Sequence, residues 1–453
     1  LSGDKDALQA TLNTLNQIIE GGIYDHLAGG FARYSVDEYW KVPHFEKMLY
    51  DNAQLIGLIA DAYKITPQKN YKKTIAQTVD FLDDELKAEN QGYFSSLNAD
   101  SEGEEGKFYV WKKSEIMQVL NDKEYAVFKT YYAISENGNW EEGKNVLHAH
   151  QKLDQVAKAN DLSVDEVEQR LEQARRKLKE LRDKRERPSC DDKQLTAWNA
   201  MLVSGFVKSF EALGEKKYKQ KAIDLIDFLI GRMMDDTNQL FRNFKNDKAS
   251  IIGFLDDYAF LIRSLIDVYQ ISFDINYLQK ANELTSTTLS QFYDEKMGLF
   301  HYQNKTSEKL ISESYEVDDN VIPSSNAIMA ENLVDLAAYF ENSKFQQIAE
   351  EMMHCMKAEF KDFSPNISQW MKVMGKLAHA PVDVAITGDK SIHMANELLS
   401  HFTPLARYCG GEEENLPLLK GKVKANESLI YVCKNKTCLV PVKSVEAAVD
   451  QLN

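Results

Sequence analysis

Cysteine is scarce in this sequence, with five residues in a chain of 453. An odd number of scattered cysteines does not make a disulfide framework, so we expect a reducing compartment. Cys433 and Cys438 lie close together, but their spacing matches neither a zinc site nor a C-x-x-C redox motif. They could bridge across a hairpin or take a regulatory or metal-binding role, but we expect two unbridged structural thiols.

Long apolar runs and an excess of basic residues are also missing. No window approaches the roughly 18 consecutive apolar residues of a membrane span, and the opening LSGDKDALQA lacks the features of a signal peptide. Lys and Arg total 54 against 70 Asp and Glu, so the formal charge is -16. Such an acidic surface repels phosphate backbones. We therefore expect a cytoplasmic protein that binds neither membranes nor nucleic acid.

With 43% hydrophobic residues the chain can bury a core, and an internal repeat indicates how. Four amphipathic helices each begin near an aromatic residue and carry apolar residues at spacings of three and four. Their openings are NYKKTIAQTVDFL at 70, KYKQKAIDLIDFL at 217, NYLQKANELTSTTL at 276 and KFQQIAEEMMHCM at 344. A turn and an aromatic strand follow three of them, as in GYFSSLNAD at 92.

A second type of helix precedes each of these four and is apolar over most of its circumference, which is typical of a buried helix. Its copies share an alanine, and in three copies an asparagine comes just before it. The sequences are YDNAQLIGLIADAY, AWNAMLVSGFVKSF, DDYAFLIRSLIDVY and SSNAIMAENLVDLA. We therefore expect buried inner helices that alternate with amphipathic outer helices.

Repeats of this kind cannot bury a face alone and must stack or close into a ring. Helices near 113–133, 163–186 and 364–377 bring the count to about twelve, which predicts an all-α (α/α)6 toroid over residues 1–380. The charged helix at 163–187 is typical of a solvated projection or a short coiled coil. Residues 381–453 have the pattern of a small α/β segment.

In such a ring the inner helices run parallel, so their N-termini and the short β-hairpins before them meet at one mouth of the central cavity. Unpaired N–H groups at these ends favour anions and hydroxyl oxygens. Residues at the starts of the inner helices are therefore the candidates for a functional site.

The stretch from Gly21 to Ala53 is rich in Gly pairs, aromatics and titratable groups, which is typical of a loop that presents side chains at a site. Pro43 suits the first position of a helix. One face of that helix would then carry His44, Lys47, Met48 and Asp51. His44 would act as a general acid or base, or else serve as a hydrogen-bonded structural residue.

Asp51 is a second acid–base candidate in this stretch, and Arg33 and Glu46 are candidates for binding a substrate. Trp198 lies about two turns into the next inner helix and could provide a stacking surface. Asn326, at the start of a later inner helix, is a further candidate for positioning a substrate.

Three acidic segments add carboxylates. The loop NADSEGEEGKFYVW fails the calcium-loop pattern, so it is either a solvated turn or a loop whose Asp100 and Glu102 reach the cavity. Asp192 and Asp257 each belong to an Asp pair before an inner helix, where N-capping explains one member and substrate chemistry could use the other. Paired carboxylates across a cavity are what glycoside hydrolysis needs, so Asp100, Asp192 and Asp257 join His44 and Asp51 as acid–base candidates. We expect no metal and no other cofactor.

Six segments, in this order, strongly resemble the thioredoxin-domain proteins of the YyaL type, relatives of a spermatogenesis-associated protein. They are GGIYDHLAGGFARYSVDEYWKVPHFEKMLYDNAQL, NADSEGEEGKFYVW, GNWEEGKNVLH, RPSCDDKQLTAWNA, FLDDYAFLI and YVCKNKTCLVPV. The resemblance covers essentially the whole chain. It implies a toroid similar to those of N-acylglucosamine 2-epimerase and six-hairpin glycosidases. It also implies a thioredoxin-like domain in the intact protein, after which this chain would begin.

The chain departs from the pattern of that family at several positions. Ala32 stands where the family usually has His, Leu97 and Asn98 stand where it has Glu-Asp, and Ser325 stands where it has Gly. Sugar epimerases of this fold use His pairs, and here the candidate is His44, with His26 or His301 as a partner. The lost His and carboxylates lower the expectation of catalysis.

Two hypotheses follow. In the first, the toroid binds a small sugar-like substrate and carries out epimerisation, isomerisation or hydrolysis by acid–base chemistry. In the second, it is a non-catalytic binding or partner module of a thioredoxin-like redox protein. A ligand screen over mono- and disaccharides discriminates between them.

Overall fold

The computed structural model describes residues 3–305, 314–361, 365–379 and 382–452. Its helices are α1 (Lys5–Glu20), α2 (Leu49–Ile65), α3 (Lys69–Phe81), α4 (Lys113–Val119), α5 (Asp122–Tyr132), α6 (Leu153–Ala159), α7 (Val164–Arg182), α8 (Thr196–Leu213), α9 (Lys216–Arg232), α10 (Leu255–Ser272), α11 (Ile275–Phe292), α12 (Ser325–Phe340), α13 (Ser343–Cys355), α14 (Ser368–Ala378), α15 (Ser391–Leu398) and α16 (Val445–Leu452). None of the helices in these ranges is long and apolar enough to cross a membrane.

The strands are mostly two residues long and form small sheets between the helices. They are β1 (Tyr34–Ser35), β2 (Pro43–His44), β3 (Lys47–Met48), β4 (Ser96–Leu97), β5 (Asp100–Ser101), β6 (Glu104–Glu105), β7 (Trp111–Lys112), β8 (Lys144–Asn145), β9 (Cys190–Asp191), β10 (Gln194–Leu195), β11 (Phe241–Lys245), β12 (Lys248–Ile252), β13 (Tyr293–Asp294), β14 (Leu299–Phe300), β15 (Val382–Thr387), β16 (Ala406–Gly411), β17 (Leu429–Lys434) and β18 (Thr437–Cys438).

An inner layer of helices organises the chain. Helix α2 packs on α8, α8 on α10, α10 on α12 and α12 on α14, while α3, α9, α11 and α13 pack outside α2, α8, α10 and α12. Helices α8, α10 and α12 are buried on nearly all sides, whereas the outer helices bury one face. The predicted alternation of buried and amphipathic helices is confirmed for these pairs.

The asparagine shared by three inner helices holds the preceding hairpin. In each copy the side-chain oxygen accepts a hydrogen bond from a backbone N–H of an aromatic residue, and the side-chain amide donates to the carbonyl of that same residue. The pairs are Asn52 with Phe31, Asn199 with Tyr93 and Asn326 with Phe300. In α10, Tyr258 takes the asparagine position, and its hydroxyl accepts from the N–H of Leu240 at 2.9 Å. The repeat thus encodes a joint between hairpin and helix.

Helices α4 to α7 correct the predicted arrangement of twelve alternating helices. Because α2 packs directly on α8, the segment between α3 and α8 adds no helix to the inner layer. Instead, α4 to α7 pack on one another around a core of their own. The predicted helix at 113–133 is two helices, α4 and α5. Five inner helices are present in the described part of the chain.

Helix α7, predicted to project into solvent, is packed against α5 and α6. Among its many charges it carries one narrow apolar stripe at spacings of three and four, and that stripe is buried. Its members are Val167, Leu171, Ala174 and Leu178. Arg182 at its end is also buried, so the charge pattern concealed a packing face.

The C-terminal region forms a four-stranded sheet in the order β16-β15-β17-β18, with β15 and β16 parallel and the other pairs antiparallel. Strands β15 and β17 and helix α15 match the predicted pattern, but β16 was not predicted. Cys433 and Cys438 are partners across β17 and β18 and form a disulfide. The expectation of two unbridged thiols is therefore wrong, because the hairpin places the two residues directly opposite each other.

Candidate functional site

A cavity of about 390 Å³ lies between the inner helices. Each helix lines it with residues three or four positions apart, as α2 does with Gly57, Asp61 and Lys64, because such residues share one face. Leu399 and residues 402–408 line it as well, next to the end of α2. The volume falls within the range of roughly 300–1,000 Å³ that is typical of small-molecule sites.

Ion pairs connect the inner helices deep in this cavity. Lys64 of α2 contacts Glu211 of α8 at 2.9 Å. Arg263 of α10 contacts Asp335 of α12 at 2.6 Å, and Lys376 of α14 contacts the same carboxylate at 2.9 Å. Although burial opposes it, the neighbouring Lys and Arg side chains hold the pKa of Asp335 below its usual range. These charges therefore cross-link the inner helices rather than stand open to a ligand.

The first inner helix begins later than the sequence predicted, because Pro43 does not open it. Helix α2 begins at Leu49, and Pro43 and His44 form strand β2 opposite Tyr34 and Ser35. Proline is tolerated at a strand edge as well as in the first turn of a helix. His44, Lys47, Met48 and Asp51 thus do not share a helical face.

Four of the candidate residues nevertheless lie together. Glu46 contacts Arg33 at 3.4 Å and lies 3.7 Å from Nε2 of His44, and the side chains of all three are partly exposed. The Nδ1 atom of His44 is 2.8 Å from Oε1 of Glu105. Asp51 is close enough to Arg33 and Glu46 for their charges to act on its carboxyl group. We call Arg33, His44, Glu46, Asp51 and Glu105 the mouth cluster.

Asp51 lies in the first turn of α2, one turn before Gln54, which lines the cavity. Its Oδ2 atom is buried and has no hydrogen-bond partner among the described residues. Burial raises the pKa of Asp51 to about 7, with Arg33 opposing this shift and Glu46 adding to it. A carboxyl group in this state can take up and release a proton near neutral pH.

Aromatic side chains flank the mouth cluster. The ring of Tyr34 stacks on His44 with centroids 5.1 Å apart. Tyr50, which is 2% exposed, meets Trp198 edge to face at 4.8 Å. The Tyr50 hydroxyl is buried beside Arg33, and its proton has no acceptor in the described ranges. Trp198 stands one turn before Met201 of the cavity lining, so it borders the same mouth.

A buried ion cluster anchors the hairpin that carries Arg33 and His44. Asp25 contacts Lys47 and Arg182 at 2.9 Å each, and all three side chains are at most 7% exposed. Although burial opposes it, Arg182 and Lys47 hold the pKa of Asp25 well below its usual range. Lys47 also donates to the carbonyl of Gly29. Helix α7 thereby fixes the hairpin that carries Arg33 and His44.

The side chains of the other exposed candidates make no hydrogen bond or ion pair to the mouth cluster within the described ranges. Asp100 is exposed on β5, where its backbone pairs with that of Glu105 on β6. Glu102 pairs with Lys107 at 2.7 Å, and Asp192 pairs with Lys245 at 2.5 Å. These three carboxylates have the surroundings of solvated surface groups, whereas Glu105 of the same acidic loop contacts His44.

Asp257 and Asn326 are buried, and their polar groups are occupied by the protein itself. Asp257 accepts hydrogen bonds from the N–H groups of Ala197 and Phe254, while burial and the neighbouring Asp256 raise its pKa well above its usual value. Asn326 holds Phe300 as described above. Both residues therefore have structural roles in this geometry.

The sequence analysis did not select two members of the site. Glu105 was counted only as part of an acidic loop, and its contact with His44 joins segments about 60 residues apart, which no local pattern reveals. Tyr50 precedes Asp51 directly, so an aromatic next to a first-turn acid was the available signal. The partner histidines also lie elsewhere: buried His26 bonds to the carbonyl of Gly21, and His301 lies 3.5 Å from Asp294.

A second charged group occupies the starts of α10 and α12. Arg242 contacts Asp256 at 2.9 Å and Asp257 at 3.2 Å, and Glu316 accepts a hydrogen bond from the N–H of Ser325. No group of three or more His, Cys, Asp or Glu side chains in the described ranges is arranged to hold a metal ion.

A scan against models of known protein families finds no match. Among curated proteins, the chain is 28% identical to an uncharacterised protein of Caenorhabditis elegans, over 99% of this chain and 67% of that protein. It is 27% identical to spermatogenesis-associated protein 20 of Homo sapiens, over 96% of this chain and 61% of that protein. The chain thus spans about two thirds or less of the relatives it matches, which include the spermatogenesis-associated protein 20 type.

Solved structures with similar folds include a cellobiose 2-epimerase from Bacillus thermoamylovorans, with a TM-score of 0.49 and 10% identity over 78% of this chain and 71% of that one. A GH76 alpha-mannanase from Bacteroides thetaiotaomicron has a TM-score of 0.47 and 10% identity over 88% of this chain and 83% of that one. A D-mannose isomerase has a TM-score of 0.39 and 14% identity over 78% of this chain and 86% of that one.

Proposed function

We propose that this chain is a sugar-active protein that binds a small sugar-like substrate at the mouth cluster and carries out acid–base chemistry on it. The reaction class is epimerisation, isomerisation or glycoside hydrolysis. The observation that carries the proposal is the Asp51 carboxyl group, whose Oδ2 atom is buried without a partner and whose pKa burial raises to about 7. General acid–base groups work best when their pKa lies near the operating pH.

His44 supplies the second proton-transfer group. An ionised carboxylate can only accept a hydrogen bond, so His44 donates its Nδ1–H to Glu105 across the 2.8 Å contact. Its Nε2 atom, which lies 3.7 Å from Glu46, is then the ring atom that exchanges a proton with the substrate. Glu105 acts as a positioning residue, since it fixes the tautomer and the orientation of the imidazole ring.

The surroundings suit a polyhydroxylated ligand. Arg33 and Glu46 offer donor and acceptor groups beside the two proton-transfer residues, and the partly exposed ring of Trp198 provides an apolar face for a sugar ring. The cavity begins at Gln54, one turn after Asp51, and has room for a small substrate, although no member of the mouth cluster lines it.

The proposal includes a ring related to a six-hairpin toroid, a thioredoxin-like domain elsewhere in the intact protein, and a cytoplasmic location. The greater length of spermatogenesis-associated protein 20, of which the chain spans 61%, is consistent with a further domain. The second candidate function is a non-catalytic partner module of such a redox protein. It is favoured by the ion pairs between inner helices, which occupy polar groups deep in the cavity.

A thermal-shift screen over mono- and disaccharides tests the proposal. We expect at least one sugar to raise the melting temperature of the chain, and we expect Asp51→Asn and His44→Ala to abolish that shift. Asp192→Asn, which removes an exposed carboxylate outside the mouth cluster, should leave it intact. If no sugar raises the melting temperature and His44→Ala changes only stability, the partner-module function is the better account.

A further inference from the structure

The mouth cluster has an unbalanced charge. It contains three carboxyl groups, from Glu46, Asp51 and Glu105, and one guanidinium, from Arg33. The guanidinium lies against Glu46 at 3.4 Å, and Glu105 is taken by His44 at 2.8 Å. In the remaining carboxyl group, that of Asp51, the Oδ2 atom is buried with no donor among the described residues. Its position therefore calls for a hydrogen-bond donor from a ligand or solvent.

Tyr50 gives an independent indication that a polar ligand group belongs here. It is 2% exposed, and its hydroxyl is affected by Asp51, Glu46 and Arg33, so it faces the mouth cluster. Arg33 is near enough to donate to the hydroxyl oxygen, but the hydroxyl proton has no acceptor in the described part of the chain. A ligand hydroxyl could supply that acceptor.

We propose that the mouth cluster selects a sugar that carries a protonated amino group, with the ammonium placed between the carboxylates of Asp51 and Glu46. This inference rests on the proposed sugar-binding function and names its substrate class. An ammonium has three donors and no acceptor, which complements the unpartnered Oδ2 of Asp51. The excess of carboxyl groups over cations in the cluster attracts a positively charged ligand.

A sugar acid or a sugar phosphate would be repelled by the mouth cluster. Its anionic group would lie beside Glu46 and Asp51, and Arg33 is already in contact with Glu46. Juxtaposed like charges discriminate against a ligand more strongly than a missing contact does. The cavity below does not compensate, because Lys64, Arg263 and Lys376 each contact a carboxylate there.

The test is a titration of the intact chain with four related sugars, followed by calorimetry or thermal shift at neutral pH. Glucosamine carries the amine, N-acetylglucosamine has the same skeleton without the charge, glucose has a hydroxyl there, and glucuronate carries a negative charge. We expect glucosamine to bind at least about tenfold more tightly than N-acetylglucosamine, which corresponds to about 1.4 kcal/mol, and glucuronate to bind most weakly.

Glu46→Gln provides the matched variant, since it removes one charge and keeps nearly the same shape. It should reduce the preference for glucosamine several-fold, whereas Asp192→Asn should leave that preference unchanged. If glucuronate binds as tightly as glucosamine, or glucose binds equally well, the charge inference is wrong and the sugar-binding proposal survives. If none of the four sugars binds and a wider sugar screen is also negative, both fail.

Discussion

Asn52 holds both backbone groups of Phe31. Its side-chain oxygen accepts from the Phe31 N–H at 2.7 Å, and its side-chain amide donates to the Phe31 carbonyl at 3.1 Å. Asn52 is fully buried, so water cannot replace either bond. The hairpin that carries Arg33 is thereby joined to the first turn of α2, which carries Asp51.

Replacing Asn52 by Ala should destabilise the chain by about 2–4 kcal/mol, because a buried N–H and a buried carbonyl lose their partners together. Urea unfolding followed by circular dichroism measures the change. Asn13→Ala, on the exposed surface of α1, serves as the control and should cost less than about 0.5 kcal/mol. Equal losses of unfolding free energy in the two variants would show that Asn52 does not hold the hairpin to α2.

Replacing Asp25 by Asn should destabilise the chain by about 3–5 kcal/mol, because the change leaves Lys47 and Arg182 buried without their shared carboxylate. The exposed pair of Asp192 and Lys245 offers the comparison, and Asp192→Asn should have little effect on stability, because solvent screens this ion pair. A loss in Asp25→Asn as small as that of the control would show that the buried cluster is not what holds α7 to the hairpin.

Stability should fall steeply below about pH 5. The pKa values of Asp25, Glu211, Glu331 and Asp335 are all lowered by neighbouring cations, although burial opposes each shift. Unfolded carboxylates, with pKa values near 4, take up protons first. Acid therefore favours the unfolded chain, and the stabilisation present above that pKa is lost as the pH falls through the folded values. Unfolding free energies measured from pH 7 to pH 3 check this, and a flat profile would contradict it.

Asp51 should contribute to the pH dependence of stability with the opposite sign, so that the chain loses stability as the pH rises. Its pKa of about 7 in the folded chain lies above the unfolded value of about 3.9, so rising pH between these values favours the unfolded state. Asp51→Asn should remove this loss and be more stable relative to the native chain at pH 8 than at pH 4. A difference of about 1–3 kcal/mol is expected, from about 1.4 kcal/mol per pKa unit reduced for partial exposure. The same relative stability at both pH values would mean that Asp51 ionises normally.

The layered helices were predictable because their pattern is local. The alanine and asparagine at the start of each inner helix and the aromatic at the start of each outer helix recur in the sequence itself. The position of α7 was not predictable, because Arg182 and a narrow apolar stripe find their partners in distant segments. The start of α2 was also missed, since Pro43 suits both a helix start and a strand edge, and the strand pairings of residues 43–48 depend on distant segments as well.

The part of the site that is local in sequence was predictable, and the part that depends on tertiary structure was not. Arg33, His44, Glu46 and Asp51 lie within one short stretch, so a turn and a hairpin bring them together. Glu105 joins them only through tertiary structure. Asp257 and Asn326 resemble site residues in sequence because they stand at inner-helix starts, but buried backbone groups use their side chains. Sequence position alone does not distinguish these two roles.

The most direct test is nuclear magnetic resonance of mono- and disaccharides incubated with the chain in heavy water. Deuterium incorporation at a sugar carbon reports epimerisation or isomerisation, and new reducing ends report hydrolysis. We predict one of these signals with the native chain and a loss of about 100- to 10,000-fold in Asp51→Asn, the usual contribution of a general acid or base. No signal with any sugar, or an undiminished signal in Asp51→Asn, would contradict acid–base chemistry at this carboxyl group.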